Sequence, residues 1–383
     1  MLDNATSKRL REFYIQRGML LKVHMDLLYA CDLDCRHCYL EDKKRPQVDG
    51  TLIVDVLRQA ADLGAMDLLF SGGEIFLRKD LLDLISAARE LKYRVRLKTH
   101  GGRLTAYDAR RLRELGVSQV DFSVYSLDAD VHDEFTKVPG SLERTLQGIS
   151  LVAEEGIKVA VKTHVTGMNR HSYQALHTYF TSRGIETTVN AQIRGTNTGN
   201  TSTYPLNVTF EDKVQLELFK IALDGQLADR PEPLPPDEAR LCMAGVTSLY
   251  VTPDLKVTPC SAFPMDVGDL RVQSLREIWE TSPAFAELRV ARRKDVLPCN
   301  TCEARKFCSY CAGAAYIESG GDWKTPPEII CKSAFAAMDA AERYGAGERA
   351  SPAAPPVRRK LGAFAIRASH GPVPAQPHGG CSC

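Results

Sequence analysis

The sequence predicts an α/β protein, a partial (β/α)6 barrel followed by a small cysteine-rich domain. From residue 20 to about residue 194, short β-rich runs alternate with helical patterns, which is typical of βα units around a parallel sheet. Because six such units are fewer than a closed eight-stranded barrel needs, we expect an open one. The second observation is the grouping of the 12 cysteines, seven of which fall between residues 242 and 331.

The elements are predicted in chain order from their patterns. The β-rich runs predict strands at 20–28, 66–70, 94–99, 119–124, 158–165 and 186–193. The helical patterns between them lie at 55–63, 80–91, 106–115, 142–155 and 171–182. A polar segment at 194–207 then leaves the barrel, before a predicted helix at 210–227 and a proline-rich connection at 231–236. A helical pattern at 333–344 closes the cysteine-rich region.

These elements divide the chain into five predicted parts. They are an N-terminal extension (1–19), the barrel (20–207), a helical linker (208–241), the cysteine-rich domain (242–344) and a tail (345–383). The tail is rich in Ala, Pro, Gly and Arg, so it can bury little core and is predicted to be disordered. It ends in Cys381 and Cys383.

Composition and charge exclude several classes of protein. A chain of 383 residues with 44% hydrophobic and 25% charged residues is ordinary for a folded protein of this length. A formal net charge of +1 offers no bulk attraction to nucleic acid or to an anionic membrane. The sequence has no secretory signal and no apolar run long enough to span a bilayer. In a reducing cytoplasm the cysteines are therefore expected to be metal ligands or catalytic thiols rather than disulfides.

Three cysteines follow the first predicted strand on one short loop. Cys31, Cys35 and Cys38 are spaced x3 and x2, and an aromatic residue, Tyr39, comes next. Three thiolates can hold three irons of a 4Fe–4S cube and leave the fourth iron open for a substrate or cofactor. The alternative is a zinc site completed by His37 or by a distant residue. In either case the loop lies at the carboxyl end of the strands, where barrels carry their active sites.

The x3/x2 spacing resembles the signature of the radical S-adenosylmethionine (AdoMet) superfamily. The resemblance implies that the open iron binds the amino and carboxylate groups of AdoMet. It also implies reductive cleavage of AdoMet to a 5′-deoxyadenosyl radical, which abstracts a hydrogen atom while the protein positions the cofactor.

Two further segments carry the same resemblance. Ser71-Gly72-Gly73-Glu74 follows the second strand and is similar to the family's Gly-Gly-Glu motif, which implies contact of Gly72, Gly73 and Glu74 with the amino group of AdoMet. Ser126-Leu127-Asp128 is similar to the segment whose serine reaches the ribose hydroxyls, although Ala129 stands where glycine is usual. We interpret His132 and Asp133 as a polar pair at a helix start rather than as catalytic residues.

The second group of cysteines resembles the SPASM extension of this superfamily. Its members are Cys242, Cys260, Cys299, Cys302, Cys308, Cys311 and Cys331. Two departures leave the local turns uncertain. Only Ser309 and Tyr310 separate the fifth and sixth cysteines, where three residues are usual, and Leu255 occupies a position where glycine is favoured. Zinc remains an alternative here, because CxxC pairs are common zinc ligands.

The resemblance implies two auxiliary 4Fe–4S clusters, and hence three clusters in the chain. Cys299, Cys302, Cys308 and Cys331 would hold one auxiliary cluster. Cys242, Cys260 and Cys311 would hold the other, whose fourth ligand must be a non-cysteine side chain, solvent, a tail cysteine or a substrate.

The resemblance also implies a class of reaction. We expect a radical enzyme that crosslinks or oxidises a ribosomally made peptide or protein. The alternative is oxidation or rearrangement of a small molecule such as a sugar or cyclitol. A non-enzymatic iron–sulfur or zinc protein ranks third, because such a carrier needs no cofactor pocket at Glu74 and Ser126.

The expected partners follow from the same class. An electron donor such as flavodoxin or ferredoxin is implied. About twenty residues precede the first strand, too few for a leader-binding domain, so a separate protein is expected to bind a leader peptide if the substrate has one. No nucleic-acid or membrane partner is expected.

Overall fold

The computed structural model describes residues 4–224 and 237–352, and its centre is one nine-stranded sheet. The strands are β1 (Lys22–Asp26), β2 (Asp67–Ser71), β3 (Arg94–Thr99), β4 (Gln119–Ser123), β5 (Lys158–His164), β6 (Glu186–Asn190), β7 (Ser248–Val251), β8 (Lys256–Thr258) and β9 (Gly268–Asp269). Their order in the sheet is β6-β5-β4-β3-β2-β1-β7-β8-β9. Strands β1 to β6 are parallel neighbours in chain order, which confirms the predicted partial (β/α)6 barrel.

Helices connect the strands and cover one face of the sheet. They are α1 (Asn4–Arg17), α2 (Gly50–Asp62), α3 (Leu81–Glu90), α4 (Ala106–Glu114), α5 (Ala129–Thr136), α6 (Ser141–Glu154), α7 (Tyr173–Thr181), α8 (Phe210–Asp224), α9 (Leu275–Thr281), α10 (Pro283–Val290), α11 (Ala312–Ser319) and α12 (Glu328–Gly345). None of the helices in the described part of the chain is long and apolar enough to cross a membrane.

Alternation along the strands decides which side chains face the helices. Val23 and Met25 of β1, and Val95 and Leu97 of β3, are almost fully buried in the main apolar core. Successive side chains of a strand point to opposite faces. The intervening residues, most of them polar, therefore line the inside of the barrel.

The cysteine-rich region is built onto the barrel sheet. Strand β7 pairs in parallel with β1, from Lys22↔Ser248 to Met25↔Val251, and β8 and β9 extend the sheet in antiparallel fashion. The sequence analysis did not predict these strands. The two regions therefore share one sheet, and β1 lies inside it rather than at its edge.

Two long helices join the regions on the other side. Val214, Leu218 and Ile221 of α8 form a small apolar core with Ala336 and Ala340 of α12. Helix α12 begins five residues before the predicted helix at 333–344. The proline-rich connection at 231–236, Cys381 and Cys383 lie outside the described residues. Of the predicted tail, residues 345–352 are described, and the backbone of Ser351 bonds with Gln174 and Gln215.

Candidate active site and iron–sulfur ligands

The three-cysteine loop leaves β1 and rests on the end of α5. The backbone N–H groups of Asp34 and Arg36 donate to the carbonyls of Thr136 and Phe135, at 3.1 Å each. The N–H of Leu33 donates to Cys31 Sγ at 3.4 Å, and the N–H of Cys38 closes a turn on the carbonyl of Cys35. The loop therefore has a fixed backbone, and one of its sulfurs already accepts the kind of N–H bond that tunes cluster thiolates.

Burial raises the thiol pKa values of this loop. The pKa of Cys35 rises to about 12, first because of burial and then because of the charges of Cys38 and Cys31. Burial likewise raises the pKa of Cys38. Thiols held away from water lose their protons when a cation binds them. The donor set therefore fits a metal cluster.

His37 does not complete a metal site in this structure. Its ring packs against those of Tyr125, Phe135 and His164, with centroids about 5 Å apart. Burial, and then the charge of Lys98, lowers the pKa of His37 to about 3. Among the residues described, Cys31, Asp32 and His100 form the single group of at least three metal-binding side chains whose ligand atoms all lie within 4.8 Å of one another.

Gly72 and Gly73 allow two backbones to approach closely. A Cβ at Gly72, where φ is +135°, would lie 2.6 Å from the carbonyl oxygen of Leu28. A Cβ at Gly73 would lie 2.0 Å from the carbonyl oxygen of Ala30. These glycines thus hold the loop after β2 against the start of the cysteine loop. The close approach of the two backbones therefore requires glycine at both positions, in addition to the predicted approach of a ligand.

Glu74 is fully buried, and protein groups surround its carboxylate. It accepts hydrogen bonds from Thr99 Oγ1 at 2.7 Å, from the N–H of His100 at 3.1 Å and from the N–H of Phe76 at 3.0 Å. Nε2 of His100 lies 3.0 Å from Glu74 and 2.9 Å from Asp32. If Glu74 contacts the ammonium group of a ligand, as predicted, its oxygens would accept that hydrogen bond in addition to those from these neighbours.

His100 links this carboxylate to the cysteine loop. Burial lowers its pKa, but the charge of Glu74 and the bond to Asp32 outweigh burial and raise the pKa to about 10. The imidazolium then lies between two carboxylates and close to Cys31. A cation at this position offsets the negative charge that a cluster and its thiolates bring.

Ser126 and its neighbours form a helix start. Ser126 is fully buried, its Oγ accepts the N–H of Asp128 at 3.0 Å, and Asp128 caps α5. His132 and Asp133 lie within α5 rather than at its start. Asp133 instead caps the next helix, α6, by accepting bonds from Gly140, Ser141 and Leu142. Its part in the fold is structural, as the sequence analysis proposed.

Four cysteines of the second group line one cleft that opens to solvent. They are Cys299, Cys302, Cys308 and Cys331, the four that the resemblance assigns to one cluster. Arg293 and Arg305 line the same cleft, and Arg293 donates to the carbonyl of Cys308 at 2.5 Å. Burial raises the pKa of Cys308, while Arg293 lowers it and so favours the thiolate. Thiolates around a cleft, with cations beside them, fit an anionic cluster.

The remaining three cysteines lie on adjoining segments. Cys260 follows β8 and stands opposite Ser248 in the register of the hairpin, next to the bend that follows Cys242. Cys311 precedes α11, where a Cβ at Gly313 would lie 2.1 Å from the carbonyl oxygen of Ala262. Each sulfur accepts a backbone N–H at 3.4 to 3.5 Å, from Ala244, Ala262 and Ala314.

Leu255 adopts the backbone conformation that glycine favours at its position. Its φ is +65°, in the left-handed region, and its side chain is 2% exposed in the core. The hairpin turn is therefore retained without glycine, and apolar packing offsets the strain. The shortened spacing also causes no misplacement, because Cys308 faces the cleft while Cys311 begins α11.

One cysteine of the second group, Cys260, lies toward the end of the sheet opposite to the first loop. The first loop follows the carboxyl end of β1, whereas Cys260 is level with Lys22 at the amino end of the same strand. The four steps from Lys22 to Asp26 span about 13 Å. The inside of the barrel therefore lies between them. When bound, AdoMet and the first cluster supply a radical that abstracts hydrogen.

Sequence reasoning missed a buried carboxylate that connects the two regions. Asp26 accepts bonds from Tyr39 Oη at 2.5 Å and from Tyr250 Oη at 2.6 Å. Tyr39 directly follows the last cysteine of the first loop, and Tyr250 belongs to β7. The alternation of Lys22, His24 and Asp26 with apolar residues could have indicated that Asp26 faces the inside of the barrel.

A partial parallel barrel, a cysteine loop after its first strand and a cysteine-rich extension on the same sheet define a class of radical enzyme that uses several clusters. Comparison with known proteins identifies the same class. The Radical SAM superfamily model matches residues 25–180, and the SPASM iron–sulfur cluster-binding domain model matches residues 242–303. The chain belongs to the radical SAM superfamily and is an enzyme with a C-terminal SPASM domain.

Relatives with different activities resemble this chain to a similar degree. It is 27% identical to an AdoMet-dependent heme synthase of Methanosarcina barkeri, over 80% of this chain and 95% of that protein. It is also 27% identical to a PqqA peptide cyclase of Gluconobacter oxydans, over 73% and 82%. Among solved structures, Streptococcus suis SuiB bound to precursor peptide SuiA has a TM-score of 0.66 at 17% identity, over 86% and 82%. This last likeness concerns the fold alone.

Proposed function

We propose that this enzyme crosslinks or oxidises a ribosomally made peptide or protein by hydrogen-atom abstraction. The observation that carries the proposal is the position of the barrel interior between the first cysteine loop and Cys260. A substrate held there can lose a hydrogen atom at one end, while an auxiliary cluster at the other end accepts the surplus electron. The similarity to a peptide cyclase, and a fold shared with a protein that binds a precursor peptide, support a peptide substrate.

The proposal includes three 4Fe–4S clusters. Cys31, Cys35 and Cys38 hold the first, with Gly72, Gly73, Glu74 and Ser126 beside AdoMet. The cleft cysteines hold the second, and Cys242, Cys260 and Cys311 hold the third with one other ligand. A reducing cytoplasm suits exposed cluster ligands, and a small electron-transfer protein would supply electrons. A separate leader-binding protein is a proposed partner.

The test is modification of a peptide by the reconstituted enzyme. The chain is co-expressed under anaerobic conditions with each short open reading frame beside its gene, and the peptides are analysed by mass spectrometry. We expect one peptide to lose two hydrogen atoms per modification, with formation of 5′-deoxyadenosine. A variant with Cys31, Cys35 and Cys38 replaced by Ala serves as the control and should leave the same peptide unchanged.

A small-molecule substrate is the second candidate, and similarity to heme synthases over most of both chains favours it. The two candidates differ in one measurement. If no neighbouring peptide changes mass while a small molecule becomes labelled with deuterium from deuterated AdoMet or loses hydrogen, the peptide proposal is wrong.

A further inference from the structure

Polar side chains fill the inside of the barrel at the level just below the cysteine loop. On β3, Val95 and Leu97 face the helices, so Arg96 and Lys98 face inward. His100, two residues further along, contacts Asp32 at the rim. Lys98 therefore lies one layer, about 7 Å along the strand, below the site beside the cysteine loop.

The Lys98 ammonium group has no partner in the described part of the chain. It donates no hydrogen bond and forms no ion pair, although its side chain is partly buried. Burial lowers its pKa. The charges of Asp121 and Asp26 oppose this effect, and those of Arg194 and Lys162 add to it. A sequestered cation without a partner is costly, so such a group usually binds an anion.

The charges of Asp26 and Asp121 attract Lys98, but neither carboxylate forms an ion pair with it, and Oδ1 of Asp26 lies 3.3 Å from Nε2 of His24. Asp26 accepts bonds from two tyrosines, and Asp121 accepts a bond from Gln119 at 2.6 Å. Glu186 pairs with Lys158 at 2.8 Å and with Lys162 at 3.5 Å.

The imidazoles around Lys98 are neutral and add no negative charge. Burial lowers the pKa values of His24 and His164, and Lys98 lowers both of them further. Nδ1 of His37 and Nδ1 of His164 are buried and have no hydrogen-bond partner. The interior thus presents the Lys98 ammonium group together with unused polar atoms, which is a suitable environment for a carboxylate.

We propose that Lys98 binds a carboxylate group of the substrate inside the barrel. The group would be an Asp or Glu side chain, or the C-terminal carboxylate of a peptide. This inference rests on the proposed function for the identity of the substrate, but its chemistry applies equally to a carboxylated small molecule. A carboxylate fixed by Lys98 lies beneath the cysteine loop, so Lys98 sets which hydrogen of the substrate faces the radical.

The test uses the reconstituted enzyme with saturating AdoMet and simple carboxylates as probes. N-acetylglutamic acid α-amide represents a side-chain carboxylate, and N-acetylglycylglycine represents a C-terminal one. N-acetylglutamine amide is the neutral control. Saturation-transfer NMR should detect binding of at least one carboxylate and no binding of the amide. Lys98→Met should weaken the binding of that carboxylate by tenfold or more, because the variant loses a charge-assisted hydrogen bond. Lys98→Arg should retain most of the binding.

Two controls separate this site from the cofactor site. Arg110→Met removes an exposed cation on α4 and should change neither binding nor the iron content. Formation of 5′-deoxyadenosine without substrate should be the same in Lys98→Met and in the wild type. If Lys98→Met lowers that formation together with AdoMet affinity, Lys98 binds the cofactor and the inference is wrong.

Unchanged probe binding in Lys98→Met, or no probe binding to the wild type, also overturns the inference. None of these results depends on a peptide being modified, so a failure of the proposed function remains distinguishable.

Discussion

At the scale of single residues, the thiols of the first loop depend on a bound cation to remain ionised. Burial raises the pKa values of Cys35 and Cys38 above that of an ordinary thiol. Without metal, these side chains are neutral at physiological pH and resist oxidation, because the thiolate is the reactive form. Binding of a cluster must therefore displace the protons of these thiols, because the ligands are thiolates.

The first prediction concerns these three residues. Replacing Cys31, Cys35 and Cys38 by Ala should abolish formation of 5′-deoxyadenosine after dithionite reduction. It should also reduce the iron content from about twelve to about eight per chain, since each cluster contains four irons. Iron analysis and chromatography of the cleavage product measure both values. Undiminished cleavage in the triple variant would disprove the assignment of the loop.

Leu255 makes opposing contributions to stability. Its left-handed backbone costs about 1–2 kcal/mol relative to a right-handed one, and its buried side chain offsets that cost. Truncation of Leu255 should therefore affect stability differently from truncation of a residue with ordinary backbone angles. Ala at this position retains the backbone strain, whereas Gly removes it.

The second prediction uses this difference. Leu255→Ala should lower the free energy of unfolding by about 2–5 kcal/mol, and Leu255→Gly should be no worse than Ala. Leu249 is the matched control, because it is equally buried in β7. There the Gly variant should be less stable than the Ala variant by about 0.5–1 kcal/mol. Urea unfolding under anaerobic conditions gives the order, and the same order at both positions would contradict the argument.

At the scale of elements, the contact between α11 and the segment after Cys260 holds two cluster ligands together. Gly313 lies against the backbone of Ala262 and leaves no space for a Cβ. Any side chain here must move α11 and Cys311 away from Cys260. The effect should be local, because the four cysteines of the cleft lie on other segments.

The third prediction follows from that contact. Gly313→Ala should reduce the iron content by about four per chain, one cluster, and should leave AdoMet cleavage without substrate intact. Gly345→Ala, at the end of α12 with open space around it, is the control and should retain all of the iron. Full iron content in Gly313→Ala would show that α11 can shift without separating the ligands.

The contact between α8 and α12 contains a buried cation. Lys213 is 4% exposed and donates to the carbonyl of Ala191 at 2.9 Å. Burial, together with the charges of Lys220 and Lys332, lowers its pKa from 10.5 to about 8. Between pH 8 and 10.5 the unfolded chain retains this proton while the folded chain has lost it. Stability should therefore rise with pH in that interval.

The fourth prediction is the loss of this pH dependence in Lys213→Met. The wild type should gain up to about 3 kcal/mol from Lys213 between pH 8 and 10.5, and the variant should lack that gain. Lys79→Met, which removes an exposed cation that does not contribute to the Lys213 pKa, is the control. The measurement is urea unfolding at several pH values, and equal slopes for Lys213→Met and wild type would contradict the pKa assignment.

At the scale of the whole molecule, the barrel was predictable because its signals are local. Each of the six predicted strands is present to within a few residues, since β-rich runs bounded by turns carry their own information. The family resemblance also grouped the four cleft cysteines as one set, and these four line a single cleft in the structure. The start of α5 was predicted too late, at His132 and Asp133, because Ser126-Leu127-Asp128 was interpreted as a ligand-binding segment, whereas Asp128 caps the helix.

Long-range features were not predictable in the same way. Strand β7 has four residues, and its partner β1 lies more than 200 residues earlier in the chain. No local pattern connects them. The hydrogen bonds from Tyr39 and Tyr250 to Asp26 were missed for the same reason. Tyr250 belongs to β7, so it reaches Asp26 only after β7 has paired with β1. Lys98 was overlooked because one charged residue in a strand acquires meaning only from what surrounds it inside the barrel.

The pairing of β7 with β1 also determines when the molecule can be completed during synthesis. About 225 residues separate the two strands, and ribosomes add about 5–20 residues per second. For some 10 to 50 s, one edge of β1 therefore has no strand beside it, and the nascent chain already displays Cys31, Cys35 and Cys38. During that interval, iron delivery and aggregation through the open edge compete, so the supply of assembled clusters to the translating ribosome should govern the yield of active enzyme.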